Sequence, residues 1–375
     1  MHQDVIATPP PLPPAPSIEL PGWPARPPAL QWYEHRFQFD GRAGEYFRIW
    51  IVNLALSIVT LGIYSAWAKV RTQRYFYGNT RLDGIPFEYL ARPWPILKGR
   101  IIAVSLFTAY VLASQFSLTW QLVLIGVILA ATPWLIVRGS AFRARYSSWR
   151  GLTFRFVPDY GEAYIRFLLL LFPLVLTLGI LYPWVQGKQK QFLVEHHRFG
   201  GTWFRFLLAP GRFYIPYLIA WGALTAWIIV VMMLVFGVAM GAAAVGGSPS
   251  DAAPSLWIMI VMMTVIYGSY FVIFVFLAAA LVNLVYNHVD IGGRRLRSTI
   301  KGHQLLWIYF GNTLAILASA GLLIPWAKVR LARYRAACLS LLATDALDMM
   351  TAERRGEIGA AAAEVDGLFD IDIGL

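Results

Sequence analysis

The chain has 375 residues, 58% hydrophobic and 14% charged, with 32 Lys and Arg against 20 Asp and Glu and a net charge of +12. Soluble globular domains hold about 45–50% apolar and about 25% charged residues, so this composition, with a mean hydropathy of +0.56, excludes an ordinary soluble domain and indicates a membrane protein. The basic residues fall in short stretches between apolar runs, which reads as membrane topology rather than nucleic-acid binding, and the lone Cys338 excludes an intrachain disulfide.

In chain order, residues 1–34 are rich in proline (Pro9, Pro10, Pro11, Pro13, Pro14, Pro16), lack the pattern of a secretory signal, and predict an extended, disordered tail. Residues 35–160 form a first unit. It holds a broken apolar run, Ile49–Ala68, then a tight hairpin of two runs, Ile96–Phe116 and Leu118–Val137, each able to cross a ~30 Å hydrocarbon core as a helix. Residues 161–302 repeat that order, with the broken run Ile165–Val185 and then Tyr214–Met240 and Leu256–Val285, joined by a Gly-, Ala- and Ser-rich connector, Gly241–Pro254. Residues 303–342 carry a third broken run, Leu305–Ala327, and residues 343–375 an acidic tail. Between the runs, Thr80–Tyr89, Trp149–Phe156, Phe199–Phe206 and Val289–Leu296 place roughly alternating apolar residues about a Gly turn, predicting small β-hairpins at the cytoplasmic surface.

The broken runs read as copies of one motif. Leu61–Arg71 aligns without gaps with Leu178–Lys188, 117 residues on, and with Ala320–Arg330, a further 142 on. Gly, Trp and a final basic residue recur in each, and Gly44-Glu45, Phe37, Phe39, Arg81, Gly84 and Phe87 reappear as Gly161-Glu162, Phe154, Phe156, Arg198, Gly201 and Phe204. Such a match indicates internal duplication.

Charge then arbitrates topology. If every apolar run crossed, giving seven spans, the basic loops Arg138–Arg166 and Gln186–Arg212 would face opposite sides. If the three motifs enter, break at Gly62, Gly179 and Gly321, and return, four spans remain and all 32 basic residues share one side. The expected fold is therefore an all-α polytopic membrane protein with internal repeats. It has four full spans in two hairpins, three Gly-broken re-entrant or interfacial motifs, and both termini cytoplasmic; seven spans is the alternative.

Gly44-Glu45-Tyr46-Phe47-Arg48-Ile49-Trp50, Asn53, Thr60–Arg71, Arg74-Tyr75 and Asn79–Gly84 resemble the YjgN-like family of bacterial inner-membrane proteins, a family without an assigned activity. The resemblance implies a multi-pass inner-membrane location and no reaction. The second motif departs from the pattern, with Gln186-Gly187-Lys188 in place of Lys-Val-Arg.

Candidate site residues follow from physical cost. Asn53 and Asn312 place carboxamides at membrane depth, where they need a hydrogen bond, as packing glue or along a pathway. Trp67, Trp184 and Trp326, each one turn before Lys69, Arg71 and Arg74, Lys188, or Lys328, Arg330 and Arg333, form interfacial anchors able to meet anionic headgroups. The six histidines lack metal-ligand spacing, and no phosphate loop, dinucleotide fingerprint or nucleophile elbow occurs, so no metal, cofactor or enzyme activity is expected. Glu45 and Glu162 read as charges favouring helix starts. Membrane lipids are the expected partners, nucleic acid is not, and a homo-oligomer stays open. Two functions compete: a transporter- or channel-like protein with a site at the repeat interface, and a non-enzymatic module organising lipids or partner proteins.

Overall fold

A computed structural model describes residues 31–244 and 256–344. Most of the proline-rich tail, the connector over residues 245–255 and the acidic tail from residue 345 lie outside the described residues.

Strand β1 (Tyr33–Phe39) leads into α1 (Ala43–Val59) and α2 (Ser65–Asn79). A two-strand turn, β2 (Thr80–Leu82) and β3 (Ile85–Tyr89), leads to α3 (Pro93–Phe116) and α4 (Leu118–Arg145). Strands β4 (Ser147–Trp149) and β5 (Leu152–Phe156) lead to α5 (Tyr160–Tyr164), a π-helical turn (Ile165–Leu169), α6 (Leu171–Leu176) and α7 (Tyr182–Glu195). Strands β6 (His197–Phe199) and β7 (Thr202–Phe206) lead, through a 3₁₀ turn (Pro210–Phe213), to α8 (Tyr214–Ala244) and α9 (Leu256–Tyr286). Strands β8 (Val289–Ile291) and β9 (Arg294–Ser298) precede α10 (Gly302–Ala318) and α11 (Ile324–Ala337), and β10 (Leu339–Ala343) returns to pair with β1.

These strands close into one antiparallel barrel in the order β1-β10-β9-β8-β7-β6-β5-β4-β3-β2. The all-α expectation is therefore wrong: the small β-hairpins are parts of a single closed sheet. The reason is physical. A lone two-stranded ribbon is marginal in water and leaves unpaired edges, and closure removes every edge. The pairs that close the barrel join residues far apart in sequence, such as Phe87 with Trp149, which local patterning cannot reveal.

The barrel interior is filled. Inward residues meet in one ring, Phe37 opposite Leu82, Phe87 opposite Trp149, Phe154 opposite Phe199, Phe204 opposite Ile291 and Leu296 opposite Leu341. All ten belong to one apolar cluster.

Closure also decides the path of the helices. Neighbouring strands are antiparallel, so each helical excursion must leave and re-enter at the same end of the barrel. A motif that crossed a bilayer once could not do so, and the seven-span alternative fails.

Each motif reverses at a Schellman cap. Gly62 N–H donates to Ser57 O at 2.7 Å, Gly179 to Leu174 O at 2.9 Å and Gly321 to Ile316 O at 2.8 Å. The residue before each glycine (Leu61, Leu178, Ala320) is left-handed, with φ of 49° in all three. Leu61 and Leu178 are 95% and 93% exposed at the tips. The turns also sit level with the first turns of the long helices. Arg100 of α3 donates to Ser65 Oγ just past the first break, and Tyr214 Oη of α8 donates to Ile180 O in the second at 3.1 Å.

The long helices continue far beyond those breaks. Among the described residues, four segments (Pro93–Gln115, Leu118–Arg145, Pro210–Gly237 and Ile260–Tyr286) are long and apolar enough to cross a membrane, and only 6–11% of the most apolar stretch of each is buried. Such uncovered apolar helices need lipid as their solvent.

Candidate functional site

The two predicted asparagines close the motif hairpins. Asn53 on α1 is 5% exposed, and its Nδ2 donates across the break to Ala68 O at 3.5 Å. Asn312 on α10 does the same to Ala327 O at 3.2 Å, and its Oδ1 accepts from Arg330 Nη1 at 3.3 Å. The second motif has Leu170 at this position.

The predicted basic residues divide by what they already hold. Arg74 donates to Ala91 O at 3.3 Å and Arg333 to Gly41 O at 3.1 Å, so each latches the linker into the next helical hairpin around the barrel. Lys188 lies over Trp184 at 5.7 Å and Arg330 over Trp326 at 5.2 Å. Trp67 instead stacks on Tyr64 and meets Trp94 of α3 edge-on at 5.6 Å. Arg71 is exposed.

Lys69 and Lys328, equivalent positions of the first and third motifs, come together because α11 packs against α1. With Arg100 they line a cavity of about 330 Å³ whose walls include Tyr46, Trp50, Asn53, Ser57, Ser65 and Thr72. No acidic residue lines it, and none of the three cations makes an ion pair among the described residues. Asn53 Oδ1 is buried and has no hydrogen-bond partner among the described residues. In the second motif Gln186 stands at the position of Lys69, and its Oε1 accepts from Tyr217 Oη at 3.1 Å. Sequence reading found Lys69, Lys328 and Asn53 but missed Arg100 and their convergence. The available signal was that Arg100 is the last charge before an uncharged stretch reaching Val137.

Asp159, Glu162 and His196 lie within 4.8 Å of one another. One oxygen of each carboxylate is already in use, and His196 Nε2 faces Glu162 Oε2 at 3.6 Å. Asp159 caps α5 by accepting from Glu162 N–H at 2.9 Å, and Glu162 accepts two bonds from Arg166 at 3.1 and 2.9 Å. Next to them, burial pushes the His197 pKa below the usual imidazole value; the Leu193 carbonyl opposes this, and Arg143 and His196 reinforce it. The unfolded chain therefore binds more protons once pH falls through about 6.5. Stability should be flat above that value and decline below it, and His197→Phe should flatten the decline in unfolding midpoints measured from pH 7.5 to 5.5.

Inner membrane protein YjgN of Salmonella typhimurium (strain LT2) is 32% identical to this chain over 128 residues, 33% of this chain and 32% of that protein. YjgN of Escherichia coli O157:H7 is 29% identical over 153 residues, 39% and 36% of the two chains. The matched region thus spans about a third of the length of these curated relatives. No solved structure matches. The profile of the family described as "Bacterial protein of unknown function (DUF898)" covers residues 34–368, and this chain belongs to that family.

Proposed function

We propose that this chain is a non-enzymatic inner-membrane module that seats its barrel on the cytoplasmic leaflet and engages lipid there. Two spanning hairpins anchor it, and three duplicated, broken hairpins dip into the headgroup region and return. The observation that carries this reading is that all the helical hairpins leave one end of a filled barrel, three of them ending in exposed apolar tips.

Three features support it. A leucine in the left-handed region costs about 1–2 kcal/mol, which burial of its side chain in hydrocarbon offsets. Among the described residues, every Lys and Arg lies in the barrel, the motifs or the barrel-side ends of the long helices, as the positive-inside bias requires of a cytoplasmic face. The relatives are named inner membrane proteins. The transporter-like alternative gains no support: the barrel lumen is packed with apolar side chains, and the spans of one copy are too exposed to enclose a passage.

Cysteine labelling in a Cys338→Ser background tests the arrangement. Lys190→Cys should react with an impermeant maleimide only from the cytoplasm, and Ser117→Cys only from the periplasm. Leu61→Cys and Leu178→Cys should react with a bilayer-soluble maleimide and resist the impermeant one on both sides. Labelling of Lys190→Cys from the periplasm would overturn the reading.

A further inference from the structure

The groove between α1, α2, α3 and α11 has a recognisable chemistry. We infer that it binds a glycerophosphate headgroup, an anionic phosphodiester that also carries free hydroxyls, supplied by a lipid of the leaflet. The inference rests on the leaflet reading above and adds a defined site to it.

Lys69, Arg100 and Lys328 bring three positive charges to one cavity of about 330 Å³ that holds no carboxylate. Like charges brought together without a counterion repel, and a bound phosphate relieves that repulsion. Arg100 marks the depth, since α3 carries no charge beyond it and its guanidinium reaches Ser65 beside the break. A headgroup phosphate at that depth would leave its acyl chains beside the uncharged part of α3.

Asn53 adds a demand that a simple anion does not meet. Ala68 O can only accept, so it fixes the amide with Nδ2 toward it and leaves Oδ1 as the free atom. Asn53 lines the cavity, and that oxygen is buried and makes no hydrogen bond among the described residues. In the third motif the same atom takes a donor from Arg330, so the amide is completed where the protein supplies one. None of the donors lining the groove makes that bond among the described residues, so a ligand hydroxyl can supply it. Three neighbouring cations disfavour an ammonium and favour a hydroxyl. A phosphodiester with a glycerol headgroup supplies charge and hydroxyl together, and the hydroxyls of Ser57, Ser65 and Thr72 can accept further bonds.

The test uses the full chain purified in a neutral detergent, with bound lipid counted by native mass spectrometry during titration. Phosphatidylglycerol should bind with saturation, phosphatidylcholine should not, and phosphatidylmethanol, an anionic phosphodiester without a hydroxyl, should bind more weakly. Lys69→Gln with Lys328→Gln should weaken phosphatidylglycerol about twenty-fivefold, from about fivefold per lysine. The control pair Arg155→Gln with Arg205→Gln, exposed on the barrel strands β5 and β7, should leave it unchanged. Asn53→Leu should abolish the preference for phosphatidylglycerol over phosphatidylmethanol. Lys69→Arg with Lys328→Arg, which keeps the charge, should retain binding, so misfolding of the glutamine variant would not hide the result.

Equal weakening by the control pair would overturn the site, as generic surface charge would then suffice. Saturation by glycerol 3-phosphate without any bound phosphatidylglycerol would overturn the lipid source and assign the groove to a soluble ligand. Absence of both, with the labelling pattern above intact, would remove the site and leave the leaflet reading standing.

Discussion

Trp149→Ala should destabilise the fold by about 3–5 kcal/mol, the largest loss expected from one side chain. The indole is 3% exposed in the ring that fills the barrel, between Phe87 at 6.1 Å and Phe199 at 6.0 Å. Its Nε1–H donates to Ile85 O at 3.3 Å, so truncation leaves a cavity and removes that hydrogen bond as well. Unfolding midpoints in detergent check this, with Trp203→Ala as the reference. Trp203 faces outward on β7, 43% exposed, with Arg198 stacked over it at 3.5 Å. Its loss should cost about 1 kcal/mol or less. Equal losses at the two positions would mean that the barrel interior is not a packed core.

Gly187→Val should cost about 1–3 kcal/mol or more, although it makes the second motif look more like the others. Val70 and Val329 stand at the matching positions of the first and third motifs, 4% and 3% exposed. At Gly187 an added Cβ would lie 2.9 Å from Pro210 Cα, Pro210 O and Phe213 Cδ2. Two of those atoms are backbone of the 3₁₀ turn that starts α8, so the clash cannot be relieved by a rotamer change. Gly78→Ala, with nothing within 4 Å, should stay near neutral. A neutral Gly187→Val would mean that α7 does not press on that turn. The contact also accounts for glycine in place of valine in the second motif: it leaves room for the 3₁₀ turn that starts α8.

Some of the arrangement was legible because it is written in local order. The long uncharged runs, the Gly breaks, the Trp-basic ends and the Gly turns are one-dimensional signals with local causes: hydration cost, helix capping and left-handed backbone. The family resemblance rested on contiguous residues of the same kind. At the site, Asn53, Lys69 and Lys328 were visible as costly or charged residues at repeated positions.

What that order could not carry was pairing at a distance. Strands of three to seven residues are too short to announce that they close a barrel, because their partners lie across whole helical hairpins. The sequence by itself determined which segments seek lipid, where they bend and which side the charges favour. Only the tertiary structure decided that the motifs must return to their starting side, since antiparallel closure fixes where both ends of each excursion lie. It alone brought lysines from opposite ends of the chain to Arg100, because a closed ring makes its first and last elements neighbours.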